Sequence, residues 1–442
     1  MSLPRYESYK DSGVEWLGEV PSHWATKRFG RAVKISEGQV DPSVEPYASM
    51  ILIAPNHIES GTGRLLNTET ASEQGAESGK YSVLLGDVVY SKIRPALAKA
   101  TMAPCDGLCS ADMYPLRGID GMAQNYLKWT MLNPAVTAWT VLESDRVAMP
   151  KINREKLSEL RLPIPPLSEQ SAIAAFLDRE TAKIDALIEA QERLIELLKE
   201  KRQAVISHAV TKGLDSSVPM KDSGIDWLGE VPAHWDVLTI GRICEGLSYG
   251  FTNPMPIGEH GPYMLTANDI GEGKIRYDSA RRTTWEAFNE LLTEKSRPVV
   301  GDILITKDGT LGRIAVFDGQ IACINQSVAF LRVNPRLATP QYTASALAYG
   351  IYNERMIYEA GGTTIKHIYI SRLAKMPLAL PPLPEMAEIT AYCEVVNRKA
   401  NELTFRCEAT IALLQERRAA LIAAAVTGKI DVRGLVDTSE AA

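Results

Sequence analysis

Apolar and polar positions along this chain alternate between two regimes, and the alternation happens twice. Up to residue 162, short β-branched or apolar runs (SMILIAP, YSVLL, DVVYSKI) are broken by Gly, Asn, Asp and Pro, while LKWTMLN carries helical spacing. The stretch from 214 to 378 repeats the mixture with DILITK, RIAVF and SVAFLRV as strands and YTASALAYGIYNERM as helix. Each stretch predicts an α+β domain. Each also ends in a proline-rich hinge, PIPPL at 163–167 and LPPLP at 380–384, after which the pattern changes.

Between Ser168 and Gly213 there is no proline, no earlier glycine and an abundance of strong helix formers. Ser168 suits an N-cap and Gly213 a stop, which predicts a helix of about 43 residues, roughly 65 Å long. Leu177, Ile184, Leu187, Gln191, Leu194, Leu198 and Val205 recur on a seven-residue period and make one narrow seam. The second copy places Cys393, Ala400, Leu403, Cys407, Thr410, Leu414 and Leu421 at the same positions, with Gly428 as its stop. Neither helix is apolar enough to be a buried rod, so each needs a partner, and the other helix is the natural one. Antiparallel packing relates the halves by a pseudo-two-fold.

The duplication extends along the chain. KDSGVEWLGEVPSHW at 10–24 answers to KDSGIDWLGEVPAHW at 221–235, and GDVVYSKIRPALAKA from Gly86 answers to GDILITKDGTLGRIA from Gly301. PKINREKLSELRLPIPPLSE answers to KHIYISRLAKMPLALPPLPE, and EKRQAVISHAVTKGLD to ERRAALIAAAVTGKID. The second Trp-rich segment begins just after the first helix ends, so Trp227, Leu228 and Trp235 can dock the second domain onto that helix end. By the pseudo-two-fold, Trp16, Leu17 and Trp24 should dock beside Ala425–Gly428, with Trp16 and Trp24 largely buried. Residues 36–85 and 246–300 hardly match, so the frame is duplicated and part of the surface is not.

Composition narrows the chemistry. The net charge of −6 argues against a stand-alone nucleic-acid binder. The six cysteines are scattered, with no pair of C-x2-C units, which points to reduced cysteines rather than zinc or disulfides. No run of 18 apolar residues and no signal-like start occur, so a soluble, cytoplasmic protein is expected, with no membrane association. No P-loop is present, and NPAV, NPMP and NPRL do not fit the Asn/Asp-Pro-Pro-aromatic element of a DNA adenine methyltransferase. The chain is therefore read as non-catalytic, with no cofactor and no metal.

In the order of these motifs, twice over at near-constant spacing, the sequence resembles the specificity subunits of type I restriction-modification enzymes. The resemblance implies two target-recognition domains (1–162 and 214–378), two hinge-plus-helix segments (163–213 and 379–430) and a tail at 431–442. The fold it implies is α+β, two recognition domains separated by a coiled-coil pair of long antiparallel helices. Each domain would read half of an asymmetric, bipartite double-stranded DNA target. The helices would set the spacer and dock two methyltransferase subunits, and restriction (motor-nuclease) subunits would join that core. The rival reading is a coiled-coil scaffold presenting two α+β modules to proteins rather than DNA.

Loops that combine glycine with Lys, Arg, Asn or Tyr can approach phosphates and pair with base edges. In the first domain the candidates are Asn56, His57, Lys92, Arg94, Arg146 and Lys151. In the second they are Tyr249, Asn253, Asn268, Lys307, Thr310, Arg313, Thr363, Lys366 and His367. His57 and His367 are read as polar loop residues, since no second ligand stands at metal-binding spacing.

Overall fold

Two helices, Leu167–Lys212 and Leu383–Val426, organise the protein, here a computed structural model that describes residues 3–144, 149–362 and 366–435. The first ends where Gly213 turns left-handed at φ 79°. The second ends at Gly428, φ 72°, where Lys429 N–H donates to Ala424 O and Gly428 N–H to Ala425 O, the paired bonds of a Schellman stop. The chain divides into two units, residues 1–191 with 409–442, and residues 192–408, and the division falls within both helices.

In the first unit the main sheet runs Val33–Ile35, Met113–Gly118, Val88–Ser91, Ala100–Met102, antiparallel throughout. A second sheet joins Gln39–Val40, Lys80–Val83, Gly107–Cys109 and Leu52–Ile53, the last pair parallel. The helix Gln124–Met131 packs on the main sheet and buries Tyr126, whose hydroxyl lies 3.3 Å from Pro163 O and 3.1 Å from Val426 O. One hydroxyl thus reaches both the domain's own hinge and the end of the second long helix.

The second unit repeats the plan. Its main sheet runs Cys244–Tyr249, Val328–Val333, Ile303–Thr306, Ile314–Val316, and Tyr342 places its hydroxyl 2.8 Å from Ala379 O and 3.2 Å from Val210 O. The stretch YTASALAYGIYNERM forms two helices, Pro340–Ala348 and Gly350–Tyr358, rather than one. They break at Tyr349, which is extended, and Gly350 restarts the helix at φ 58° where a β-carbon would lie 2.2 Å from Ser207 Cβ of the first long helix. Only glycine allows that approach.

Within each unit the two helices run antiparallel. Asp185 pairs with Arg418 in the first and Arg202 bonds Asn401 in the second. The seam follows heptads but differs from the leucine-based reading. Leu177, Ile184, Gln191, Leu198 and Val205 lie on it, whereas Leu187 and Leu194 are exposed and Thr181, Ile188, Ile195 and Arg202 occupy the intervening turns. In the second helix Leu403 and Thr410 are likewise exposed, and Thr404, Ile411 and Arg418 replace them. At four positions the seam lies one residue later than the leucine spacing indicates, on Ile188, Ile195, Thr404 and Ile411, and Thr181, Arg202 and Arg418 add polar members.

Each Trp-rich segment forms a hairpin, Tyr9–Asp11 with Glu19–Pro21 and Met220–Asp222 with Glu230–Pro232. Trp24 is fully buried against Gly428, the position reached through the pseudo-two-fold, and Tyr9 Oη donates to Gly428 O at 3.1 Å. Its counterpart Trp235 packs against Gly213. Both indoles donate to a hinge carboxylate: Trp24 Nε1 to Glu169 Oε2 at 3.0 Å, and Trp235 Nε1 to Glu385 Oε1 at 3.1 Å. Trp16 is only half-buried, and its Nε1 has no partner among the described residues.

Truncation of Trp24 or Trp235 to alanine should cost about 3–5 kcal/mol of its unit's stability, and Trp16→Ala clearly less. Urea unfolding followed by tryptophan fluorescence checks the order, which equal costs at Trp16 and Trp24 would contradict.

Candidate nucleic-acid interface

The main sheet of each unit delivers a lysine to the same backbone junction. In the first, the strand Val88–Ser91 ends at Lys92, whose N–H donates to Asp112 O and whose carbonyl accepts from Ile152 N–H at 2.9 Å. Ile93 then bridges to Lys151, and Arg94 N–H donates to Pro150 O at 2.7 Å. Lys92, Arg94 and Lys151 therefore share one edge, with Arg94 and Lys151 exposed and the Lys92 ammonium 5.4 Å above the Tyr114 ring. Asn56 is exposed on the turn Pro55–His57, and Lys99 Nζ, 2.6 Å from Pro55 O, ties that turn to the same edge.

Arg94 adopts the left-handed conformation, φ 48°. At the equivalent turn of the second unit the left-handed residue is Gly309, φ 76°. A non-glycine residue there carries strain of order 1–2 kcal/mol, so the arginine side chain is retained against a conformational preference for glycine.

In the second unit Lys307 follows the strand Ile303–Thr306, and its carbonyl accepts from Ile368 N–H at 2.9 Å, the same bond as in the first. Asp308 bridges to His367 as Ile93 does to Lys151. The side chains differ. Lys307 Nζ lies 3.0 Å from Asp308 and 5.3 Å above the Tyr249 ring, while His367 Nδ1 contacts the same carboxylate. Ser327 gathers the rest: its carbonyl accepts from Lys307 N–H and its hydroxyl from Ala267 N–H, beside exposed Asn268. Tyr249, Asn253 and Lys366 are exposed; Tyr249 and Asn253 flank Phe251, whose backbone bonds Ile324 and Gln326.

Three of the described candidates stand apart. His57 is buried, with Nδ1 accepting from Ala54 N–H, so it closes its own turn and presents nothing to solvent. Thr310 and Arg313 line a cavity of about 500 Å³ together with Lys199, Gln203 and Glu394 of the long helices. Arg146 and Thr363 lie outside the described residues. Sequence reasoning missed Lys99 and Arg154. Arg154 spans Tyr81 and Tyr114, one from each sheet, at 5.5 and 5.3 Å and pairs with Glu37; their strands are far apart in sequence and gave no signal.

The repeated GD motif is structural. Asp87 is buried, accepts from Leu84 N–H, and holds the Arg117 guanidinium at 2.8 and 2.7 Å; Asp302 does the same with Val299 and Arg332 at 2.8 Å twice. Each carboxylate ties the turn that starts one strand to the neighbouring strand.

The fold is thus duplicated, with two equivalent frames that carry different side chains at these paired edges. The family model for the type I restriction modification DNA specificity domain matches residues 58–197 and 255–411, and the chain belongs to that family. It is 36% identical over 194 residues to the Escherichia coli type I restriction enzyme EcoDI specificity subunit, a match covering 44% of this chain and 43% of that protein. To the EcoBI specificity subunit of the same organism it is 25% identical over 293 residues, 64% of this chain and 61% of the other. The chain thus spans less than two thirds of these two relatives. It is 23% identical over 401 residues to the putative MjaX specificity subunit of Methanocaldococcus jannaschii, covering 86% and 88%. The same fold appears in a chain from a structure on complex assembly and conformational transition of the type I R-M system, with TM-score 0.73, 18% identity, and 92% and 98% of the two chains covered. The crystal structure of the HsdS subunit from Thermoanaerobacter tengcongensis gives TM-score 0.52 at 18% identity, with 93% and 98% covered.

Replacing Asp87 or Asp302 by alanine should destabilise its unit by about 1.5–3 kcal/mol through loss of charge-assisted hydrogen bonds. Thermal unfolding reads this, and a neutral substitution would contradict the structural role given to the motif.

Proposed function

We propose that this chain is the DNA sequence-specificity subunit of a type I restriction-modification complex. Residues 1–162 and 214–378 each read one half of an asymmetric bipartite target, while 163–213 and 379–430 set the distance between the halves and dock two methyltransferase subunits; 431–442 form a tail. Adenine methylation and ATP-dependent restriction reside in partner subunits, and the complex works in the cytoplasm. The observation that carries this reading is the junction at Lys92 and Lys307: one backbone arrangement, twice, bearing different neighbours.

That contrast is what two readers of unlike sequences need. Lysine after the strand contributes a phosphate contact common to both domains, whereas Arg94, Lys151 and Asn56 on one side, and Tyr249, Asn253, Asn268, Lys366 and His367 on the other, provide the unlike contacts to base edges. Among the described residues no helix is long and apolar enough to cross a membrane.

Exchanging residues 36–160 for those of another specificity subunit should change one half of the methylated target only, and exchanging 236–375 the other half only. Mapping methylated positions in DNA from cells carrying the full system measures this; a swap that changed both halves would refute independent reading. Inserting four residues in each long helix adds about 6 Å of rise and should lengthen the tolerated spacer without changing either half-site. Supplied with S-adenosylmethionine, the purified chain alone should transfer no methyl group to DNA, and transfer by it would overturn the assignment of catalysis to partners.

A further inference from the structure

One arginine of each unit joins the long helices to a hairpin of the recognition domain. Arg418, buried on the second long helix, donates from Nε to Asp185 Oδ1 at 2.9 Å, across to the first long helix. Its two remaining nitrogens donate to Gly61 O at 2.8 Å and Thr62 O at 3.1 Å, and its guanidinium lies 5.8 Å from the Trp129 ring centre. Gly61 and Thr62 form the tip of a hairpin closed by the Ile58–Leu65 bridge and by Glu59 N–H to Arg64 O. The residue two places before that bridge is Asn56.

The equivalent position on the first long helix is Arg202. It donates from Nη1 to Asn401 Oδ1 at 3.2 Å, across to the second helix, and from Nη2 to Glu272 Oε2 at 3.1 Å, over the Tyr349 ring at 5.3 Å. Glu272 is at the tip of a hairpin closed by the Ile270–Ile275 bridge, and Asn268 stands two places before it. Position, helix-to-helix bond, aromatic support and hairpin are all duplicated, in segments of the recognition domains whose sequences otherwise hardly match.

We propose that Arg418 and Arg202 are positioning residues for base reading: each fixes the hairpin that carries Asn56 or Asn268 to the helix pair, without touching DNA. The inference rests on the reading of these domains as DNA-recognition modules. Arg418 grips backbone carbonyls, so it holds the first hairpin whatever its side chains are. Its charge also contributes to the Glu59 carboxyl, which burial pushes up but Thr62, Arg64 and Arg418 together bring below its ordinary value. Arg202 grips a single carboxylate, its Nε has no partner among the described residues, and it borders the 500 Å³ cavity. The second hairpin is held by less. A lysine at either position could reach one acceptor but not span the set, because it lacks the planar fork.

The test uses the full chain reconstituted with its methyltransferase subunits and oligonucleotides bearing single-base changes in either half-site. Wild type should discriminate against each change by roughly tenfold or more. Arg418→Ala should reduce discrimination to within about twofold in the half assigned to residues 36–160 and leave the other half as in wild type. Arg202→Ala should do the converse, with Glu272→Ala matching it and the double variant no worse than either single. Arg418→Lys should recover part of the lost discrimination. Unchanged discrimination in both halves, or an equal loss in both, overturns the proposal. If Arg418→Ala does not fold, Arg418→Lys should still show a partial loss confined to the first half and Glu272→Ala a loss confined to the second, and no loss in either overturns the proposal. The domain exchanges described above separate the two levels: if they leave the target unaltered, recognition itself is misassigned, whereas if they alter it and the arginine variants do not, only the positioning role fails.

Discussion

A carboxylate in the first turn of each long helix is the constraint on which each unit depends. Glu169 and Glu385 sit where the helix dipole favours negative charge, and each accepts from the indole of a buried tryptophan in the hairpin beside it. Glu169 is buried and Glu385 half-buried, and a carboxylate withdrawn from water is costly unless its oxygens find donors, so hinge, helix start and hairpin stabilise one another, most strongly in the first unit. Because Trp24 also packs on Gly428 and Trp235 on Gly213, the same side chain brings in the end of the other helix. Four segments meet around one group.

The two junctions differ in how many donors surround that group, and chain connectivity explains it. In the second unit the chain passes directly from Gly213 into the hairpin at Met220, and Glu385 accepts from His234 and Trp235. In the first unit Tyr9 of the hairpin and Gly428 at the helix stop are 419 positions apart, so no short linker joins them. Closing a longer loop costs about 0.6 kcal/mol per doubling of length. There Glu169 accepts from Tyr6 as well as His23 and Trp24, and Asp431 N–H reaches Pro4 O at 2.8 Å. Burial, above all, keeps the Tyr6 hydroxyl protonated and therefore a donor. Additional polar contacts replace a peptide linkage.

How much of this was legible in the sequence depended on whether the controlling residue was glycine, tryptophan or proline, or something less distinctive. The helices, their glycine stops and the approach of the first hairpin to Gly428 followed from duplicated motifs. The PPL-x-E hinge was visible as a repeat, but nothing in the sequence said that its glutamate would receive the tryptophan of a segment 145 positions away. The seam failed at Leu187, Leu194, Leu403 and Thr410 because adjacent residues, Ile188, Ile195, Thr404 and Ile411, face the other helix instead, and leucine spacing does not separate the two registers. His57 was read as a polar loop residue and is instead buried, accepting a hydrogen bond that closes its own turn. At His57 a polar side chain serves the frame, and composition alone cannot distinguish that from a side chain offered to a ligand.

The charge of the chain poses a related problem, since a protein of net charge −6 is proposed to lie against a polyanion. Net charge governs long-range attraction, whereas contact depends on charge within about a Debye length, roughly 8 Å at physiological salt. The first edge concentrates Lys92, Arg94, Lys99, Lys151 and Arg154, and among the described residues the acidic side chain paired there, Glu37, engages Arg154. The second edge is weaker in charge, because Asp308 is shared by Lys307 and His367. What it offers instead is aromatic and amide surface, Tyr249, Asn253 and Asn268, better suited to base edges than to phosphate. On this account the two domains would differ in how they bind as well as in what they read: the first gains more from phosphate neutralisation and is the more sensitive to salt, while the second leans on geometry, and therefore on whatever holds its loops in place.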